Sequence, residues 1–182
     1  MSKPAVIVID MLNDFVTGSL ANPRAGNIIA PIQGLVAAAR TAKIPVIFSN
    51  DAHLPNIDHE LDLWGDHAIA GTTGAEFIPE LSPQAGDHIL PKRRYSAFFE
   101  TGLHSLLRDL QIDTLIICGM LTNICIQHTA ADAYMWGFKV VIPTDGVEAL
   151  DADTQQTALD YMQAMYAAKI DESCADLSKD WQ

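Results

Sequence analysis

The chain is short of positive charge. Lys and Arg total 11 against 23 Asp and Glu, a formal net charge of -12 over 182 residues. Nucleic acids and anionic membranes are held by basic faces, so neither is expected as a partner. Cysteine is scarce too: Cys118, Cys125 and Cys174 form no CxxC pair, and their odd number (three) suits no disulfide framework. Such usage fits a reducing compartment, and a cytoplasmic location is expected. No apolar run reaches the ~18 residues of a membrane span. The N-terminal "MSKPAVIVID" is too short in its apolar part for a secretory signal and has no cleavage site. Internal repeats and low-complexity segments are absent as well. What is present is a globular composition, 49% hydrophobic and 19% charged, expected to fold as one domain over residues 1–182.

Short β-branched runs alternate with longer helical patterns. "AVIVID" (5–10), "IPVIFSND" (44–51), "DHILPK" (87–92), "DTLIICG" (113–119), "FKVVIPTDG" (138–146) and "AKIDES" (168–173) read as strands. Helices are predicted over 25–43, 101–111, 123–137 and 151–167, the third stopping at Gly137. Strands apolar throughout and separated by helices imply a parallel sheet covered on both faces. The expected fold class is therefore α/β, a three-layer αβα sandwich around a six-stranded, doubly wound parallel sheet. Ligands of such sheets bind beyond the carboxyl ends of the strands. Asp10, Asp51, Lys92 and the stretch "GMLTNICI" (119–126) all fall on that edge. The one long stretch without evident helix or strand is 52–86, which carries His53, His59 and His67, and a loop of that length is usually functional.

Cys125 is open to two readings. A thiol in an alanine-rich helix is commonly packing. The same thiol beside a helix N-terminus and a cation such as Lys92 would have a lowered pKa and act as a nucleophile. Asp10 could take its proton and return it to a leaving amine. His128, three residues further on, is set aside as its base, since a base from another segment serves better than one on the adjacent turn. Cys118, inside an apolar strand, is expected to be inert.

The pieces "VIVIDMLNDF" (6–15), "PKRRYSAFFETGLHSLLRDLQIDTLIICGMLTNICI" (91–126) and "HTAADAYMWGFKVVIPTDGVEA" (128–149) resemble the isochorismatase-like cysteine hydrolases, which include nicotinamidases, N-carbamoylsarcosine amidases and ureidoacrylate amidohydrolases. The resemblance implies a catalytic triad of Asp10, Lys92 and Cys125, and a small amide substrate, nicotinamide-like or an N-carbamoyl or ureido compound, hydrolysed through a thioester. It also implies a cis peptide between Met120 and Leu121, with the Leu121 and Cys125 N–H groups forming the oxyanion hole. True isochorismatases cleave a vinyl ether and lack this cysteine, so Cys125 favours the amidase branch. A vinyl-ether hydrolase and a non-catalytic metabolite-binding member are the alternatives.

"NDAHLP" (50–55) and "LWGDHA" (63–68) look like the metal-binding segments of nicotinamidases. The likeness carries over Asp51, His53 and His67 as ligands of Zn2+ or a similar divalent ion, with Glu60 as a fourth ligand or a partner to a histidine. The segment departs from the nicotinamidase pattern at Ala52, where those enzymes carry Trp. No organic cofactor is expected. Phe15 and Tyr95 are the expected substrate-binding rings, with Trp64 and Phe98 as further candidates; Arg93 and Arg94 are either contacts for a substrate carboxylate or surface cations. Family members assemble through helix faces, so a homo-oligomer, dimer or tetramer, is expected, with "LDYMQAMYAAK" (159–169) offering an apolar face.

Overall fold

The structure is a computed structural model and describes residues 2–170 and 172–181. In chain order it comprises β1 (Pro4–Ile9), α1 (Asn13–Val16), α2 (Gly26–Thr41), β2 (Val46–Ser49), α3 (Glu60–Trp64), β3 (His88–Ile89), α4 (Leu103–Asp109), β4 (Thr114–Met120), α5 (Gln127–Met135), β5 (Lys139–Val141), β6 (Val147–Glu148), α6 (Ala152–Tyr166) and α7 (Cys174–Ser178). The strands make one parallel sheet in the order β3-β2-β1-β4-β5, with β6 beside the end of β4. This is the expected three-layer α/β architecture.

The layers follow from the two-residue period of a strand. Ala5, Ile7 and Ile9 of β1 and Leu115 and Ile117 of β4 point to one face, where they pack against residues of α4, α5 and α6. Val6, Val8, Ile116 and Cys118 point to the other, against α2 and α7. Both faces are buried, which is why these strands are apolar throughout. Among the described residues no helix is long and apolar enough to cross a membrane.

Three expectations are corrected. The sixth strand is not 168–173 but the two-residue β6; Lys169 makes a single parallel bridge to Val141, and Asp171 lies outside the described residues. The chain there is polar after Ile170 and is captured by α7, whose start is capped reciprocally by Ser173 and Asp176. The 52–86 stretch is not without regular structure: it holds α3 and the 3₁₀ turns Thr73–Ala75 and Pro79–Leu81. The helix predicted over 123–137 is divided into a π-helical turn, Thr122–Ile126, and α5, and Gly137 follows with φ +84°. Single π turns of this kind are frequent at functional sites.

Gly119 allows β1 and β4 to approach at the carboxyl edge. Its φ is +116°, and a Cβ there would overlap the Ile9 carbonyl. We therefore expect Gly119→Ala to lower the free energy of unfolding by at least about 2–3 kcal/mol. Urea denaturation checks this; a loss below ~1 kcal/mol would contradict the close approach.

Candidate active site

Four strands deliver their last residues to one edge, and backbone bonds fix the polar groups there. Asp10 follows β1 with φ +56°, a left-handed conformation that Asp tolerates better than most residues. Its N–H donates to Asn50 Oδ1 at 2.9 Å, while the Asp51 N–H donates to Asp10 Oδ1 at 2.8 Å. Lys92 continues the β3 side of the sheet as a parallel bridge to Asp51, its N–H donating to the Asn50 carbonyl at 2.9 Å. Asn50 was missed in the sequence; its only signal is its place just before Asp51.

At the centre sits the Lys92 ammonium. Nζ lies 2.7 Å from Asp10 Oδ2, 2.6 Å from Asp51 Oδ1 and 3.5 Å from Cys125 Sγ. All four residues are buried. Burial works against the Lys92 cation, but Asp10 and Asp51 more than offset it and hold its pKa above the ordinary lysine value. Burial pushes the Asp10 carboxyl up to about 6, with Asp51 adding to the rise and Lys92 opposing it.

The expectation of a lowered thiol pKa is not met. Burial pushes the Cys125 thiol well above its usual range; Lys92 opposes this, and Asp10 and Asp51 reinforce it. The physical reason is first that the sulfur is buried, and second that the one cation able to oppose this is shared with two carboxylates whose own charges add to the rise. The raised pKa favours the thiol form, so any attack by this sulfur would have to shed its proton. His128 stays apart, exposed, with Nδ1 2.7 Å from the Ile124 carbonyl oxygen. Cys118 is fully buried, and burial alone raises its pKa.

Above the triad opens a cavity of about 320 Å³ lined by Asp10, Asp51 and Cys125. Phe15 and Tyr95 line it as expected, and so does Trp64, whose Nε1–H donates to Tyr95 Oη at 3.0 Å. Phe98 does not; it lies in the core beside Phe138. Leu121 is also on the wall, and the Met120–Leu121 peptide is cis. Leu20 and Leu150 complete the wall from loops that gave no signal in the sequence. Arg93 and Arg94 do not reach the cavity. Both are tied to Asp58: Arg93 Nε lies 3.0 Å from each carboxylate oxygen and Nη2 also contacts Oδ1, and Arg94 Nη1 lies 3.2 Å from Oδ1. The Arg93 guanidinium holds the Asp58 carboxyl well below the usual carboxylate range.

Beside Lys92, the donor atoms of Asp51, His53 and His67 lie within 4.8 Å of one another, all buried. The set suits a divalent ion. His53 Nδ1 faces Asp58 and His67 Nδ1 the Gly65 carbonyl, which leaves each Nε2 for the centre of the cluster. His53 Nε2 has no hydrogen-bond partner; Asp51 Oδ2 at 3.6 Å and Glu60 Oε2 at 3.9 Å are both too far. A buried imidazole nitrogen that faces two carboxylates and has no hydrogen bond of its own fits a metal-ligand position.

The Isochorismatase domain model matches residues 4–173. The chain belongs to the isochorismatase family. Among its relatives, Nicotinamidase 3 of Arabidopsis thaliana is 33% identical over 172 residues, covering 92% of this chain and 84% of that protein. The crystal structure of N-carbamoylsarcosine amidase from Thermoplasma acidophilum superposes with a TM-score of 0.88 at 37% identity, covering 94% of this chain and 96% of that one. The pyrazinamidase of Pyrococcus horikoshii in complex with zinc superposes with a TM-score of 0.87 at 28% identity, covering 93% and 99%.

In this family member Lys92 compensates two buried carboxylates, and its removal should expose the cost of that arrangement. Lys92→Met is expected to destabilise the fold by about 3–5 kcal/mol. Adding Asp51→Asn to that variant should recover part of the loss, giving a coupling of ~1 kcal/mol or more in a double-mutant cycle. Strictly additive effects in chemical denaturation would refute the shared-cation account.

Proposed function

We propose that the chain is a single-domain, cysteine-dependent amidase that hydrolyses a small, uncharged amide with an apolar, planar body. The observation that carries this reading is the convergence of Asp10, Lys92 and Cys125, with Nζ within 2.7 Å of Asp10 and 3.5 Å of sulfur; Asp10 and Cys125 line one cavity, and Lys92 is buried behind them. A vinyl-ether hydrolase and a non-catalytic binder have no use for a complete triad around a buried thiol.

In the proposed reaction Cys125 Sγ attacks the amide carbonyl carbon. Asp10 takes the thiol proton as the S–C bond forms, and the N–H groups of Leu121 and Cys125 receive the oxyanion. Asp10 then gives that proton to the departing nitrogen as the C–N bond breaks, leaving a thioester on Cys125. A water molecule, deprotonated by Asp10, adds to the thioester and releases the acid. Lys92 orients Asp10 and offsets the negative charge that develops on sulfur. Asp51, His53 and His67 would hold a divalent ion, Zn2+ or similar, with Glu60 as a further ligand. Bound there, the ion would supply positive charge to a polar substrate group or to water. The pyrazinamidase relative crystallised with zinc supports that part of the reading.

The walls favour an uncharged substrate. Phe15, Leu20, Trp64, Tyr95, Ile124 and Leu150 carry no formal charge, and no Lys or Arg lines the cavity among the described residues. A carboxylate on the far end of the substrate would lose water and gain no partner. A carboxamide on an aromatic ring fits this better than an N-carbamoyl or ureido acid. We also propose self-association as a homo-oligomer, dimer or tetramer, through the α5–α6 face, where Tyr134, Met135, Tyr161 and Met165 are exposed. Light scattering that gives a monomer mass would overturn that part.

An ammonia-release screen over nicotinamide, pyrazinamide, N-carbamoylsarcosine and ureidoacrylate tests the main reading. The ring carboxamides should exceed the two acids by at least about a hundredfold in kcat/KM. Cys125→Ala should lose at least about a thousandfold in kcat. Activity retained by Cys125→Ala would sink the mechanism, and a preference for the acids would sink the substrate class.

A further inference from the structure

Asp58 was only one of several acids in the 52–86 stretch when read as sequence. Its side chain is enclosed, with the residue 3% exposed, and every donor around it is accounted for. Oδ2 accepts from the Leu54 N–H at 2.8 Å and faces His53 Nδ1 at 3.3 Å. Arg93 approaches both oxygens, and Arg94 reaches Oδ1. A carboxylate gripped by two guanidiniums has little freedom to rotate or to leave.

We propose that Asp58 is a positioning residue for His53, and that the Arg93–Arg94 clamp on it sets how tightly this chain holds a divalent ion. The inference rests on the metal reading of Asp51, His53 and His67 given above. His53 is wholly enclosed, and its ring has two ways to sit on its Cβ–Cγ axis. Only the one with Nδ1–H toward Asp58 leaves Nε2 facing Asp51 and Glu60. The opposite carboxylate charge selects that orientation and that tautomer. His67 is oriented differently, by the Gly65 carbonyl at 2.8 Å, a backbone group that no substitution removes. Asp58 is thus the side chain through which ligand geometry can be changed from outside the ligand set. The clamp also comes from the residues next to Lys92. "KRR" (92–94) supplies one cation to the triad and two to the carboxylate behind His53.

Asp58 also accepts from Leu54 N–H and so helps fold the 54–58 turn, and the test must separate the two roles. Asp58→Asn keeps the size and an acceptor for Leu54 while removing the charge. The double variant Arg93→Gln/Arg94→Gln leaves Asp58 and the turn in place and removes the clamp. Arg40→Gln, which breaks the unrelated Arg40–Asp87 pair, is the control. Zinc affinity of the full chain is measured by competition with a chromophoric chelator, alongside unfolding midpoints and the 15N spectrum of the His53 ring. Asp58→Asn and the arginine double variant should bind zinc about 10–100-fold more weakly. Arg40→Gln should bind as wild type does, and the His53 ring should lose its single tautomer only in the first two. If Asp58→Asn does not fold, the arginine double variant, whose arginines are partly exposed, carries the test alone. Zinc affinity within twofold of wild type in a folded clamp variant overturns the proposal, as does an equal loss in Arg40→Gln. A wild-type protein that binds no zinc overturns it too, whereas the amidase reading stands or falls separately on Cys125→Ala.

Discussion

One buried ammonium ion holds the carboxyl edge of this protein together. Lys92 is almost wholly enclosed, and its charge is shared between Asp10 at the end of β1 and Asp51 just past β2. Neither carboxylate could be desolvated alone without several kcal/mol of penalty. The three groups therefore stand or fall as a unit. The backbone is arranged to keep them together, since Asn50 receives the Asp10 N–H and Asp10 receives the Asp51 N–H. A parallel sheet makes this possible because it ends all its central strands on one side.

Burial sets the state of the thiol, and the same sharing reinforces it. Two negative groups and one positive group leave the cluster with surplus negative charge before any ligand arrives. A thiolate formed there would add to it, so Cys125 rests as a thiol. Lys92 Nζ reaches all three groups, the two carboxylates at 2.6 and 2.7 Å and the sulfur at 3.5 Å, so its charge is divided among them. In the proposed chemistry, proton transfer to Asp10 relieves one carboxylate charge as sulfur gains its own. The total is conserved through attack, and Lys92 has only to redistribute its contacts.

The sheet was legible in the sequence because its central strands are buried on both faces. An apolar run such as "TLIIC" has few other uses. The strand ends were legible for the same reason: the first charged residue after each run marks where the apolar core gives way to a polar edge, and so Asp10, Asp51 and Lys92 could be set on one edge. Elements held by distant contacts were not. β6 is two residues long and exists because Gly119 and Met120 pair with it. The π turn before α5 keeps a helical pattern that periodicity cannot tell from an ordinary turn. Side-chain direction beyond a strand is equally hidden, so "KRR" reads as three similar cations. In the fold Lys92 turns inward to Asp10, Asp51 and Cys125, while Arg93 and Arg94 turn to Asp58.

That divergence bears on what the cavity admits. Had either arginine turned inward, the wall opposite Cys125 would carry a cation, and an acidic substrate would have a partner. Instead both are bound to the carboxylate that faces His53, and their charge is matched there, away from the cavity. Asp10, Asp51, Glu60 and His67 bring ionisable groups to the cavity, while Phe15, Tyr95, Leu20 and Leu150 leave the rest of its wall without formal charge. In the proposed amidase such a site would separate two tasks: charged groups for bond cleavage, and apolar surface to hold the rest of the molecule. Selection among amides then depends on what the non-reacting half loses on leaving water. The loss is small for a ring and large for a carboxylate.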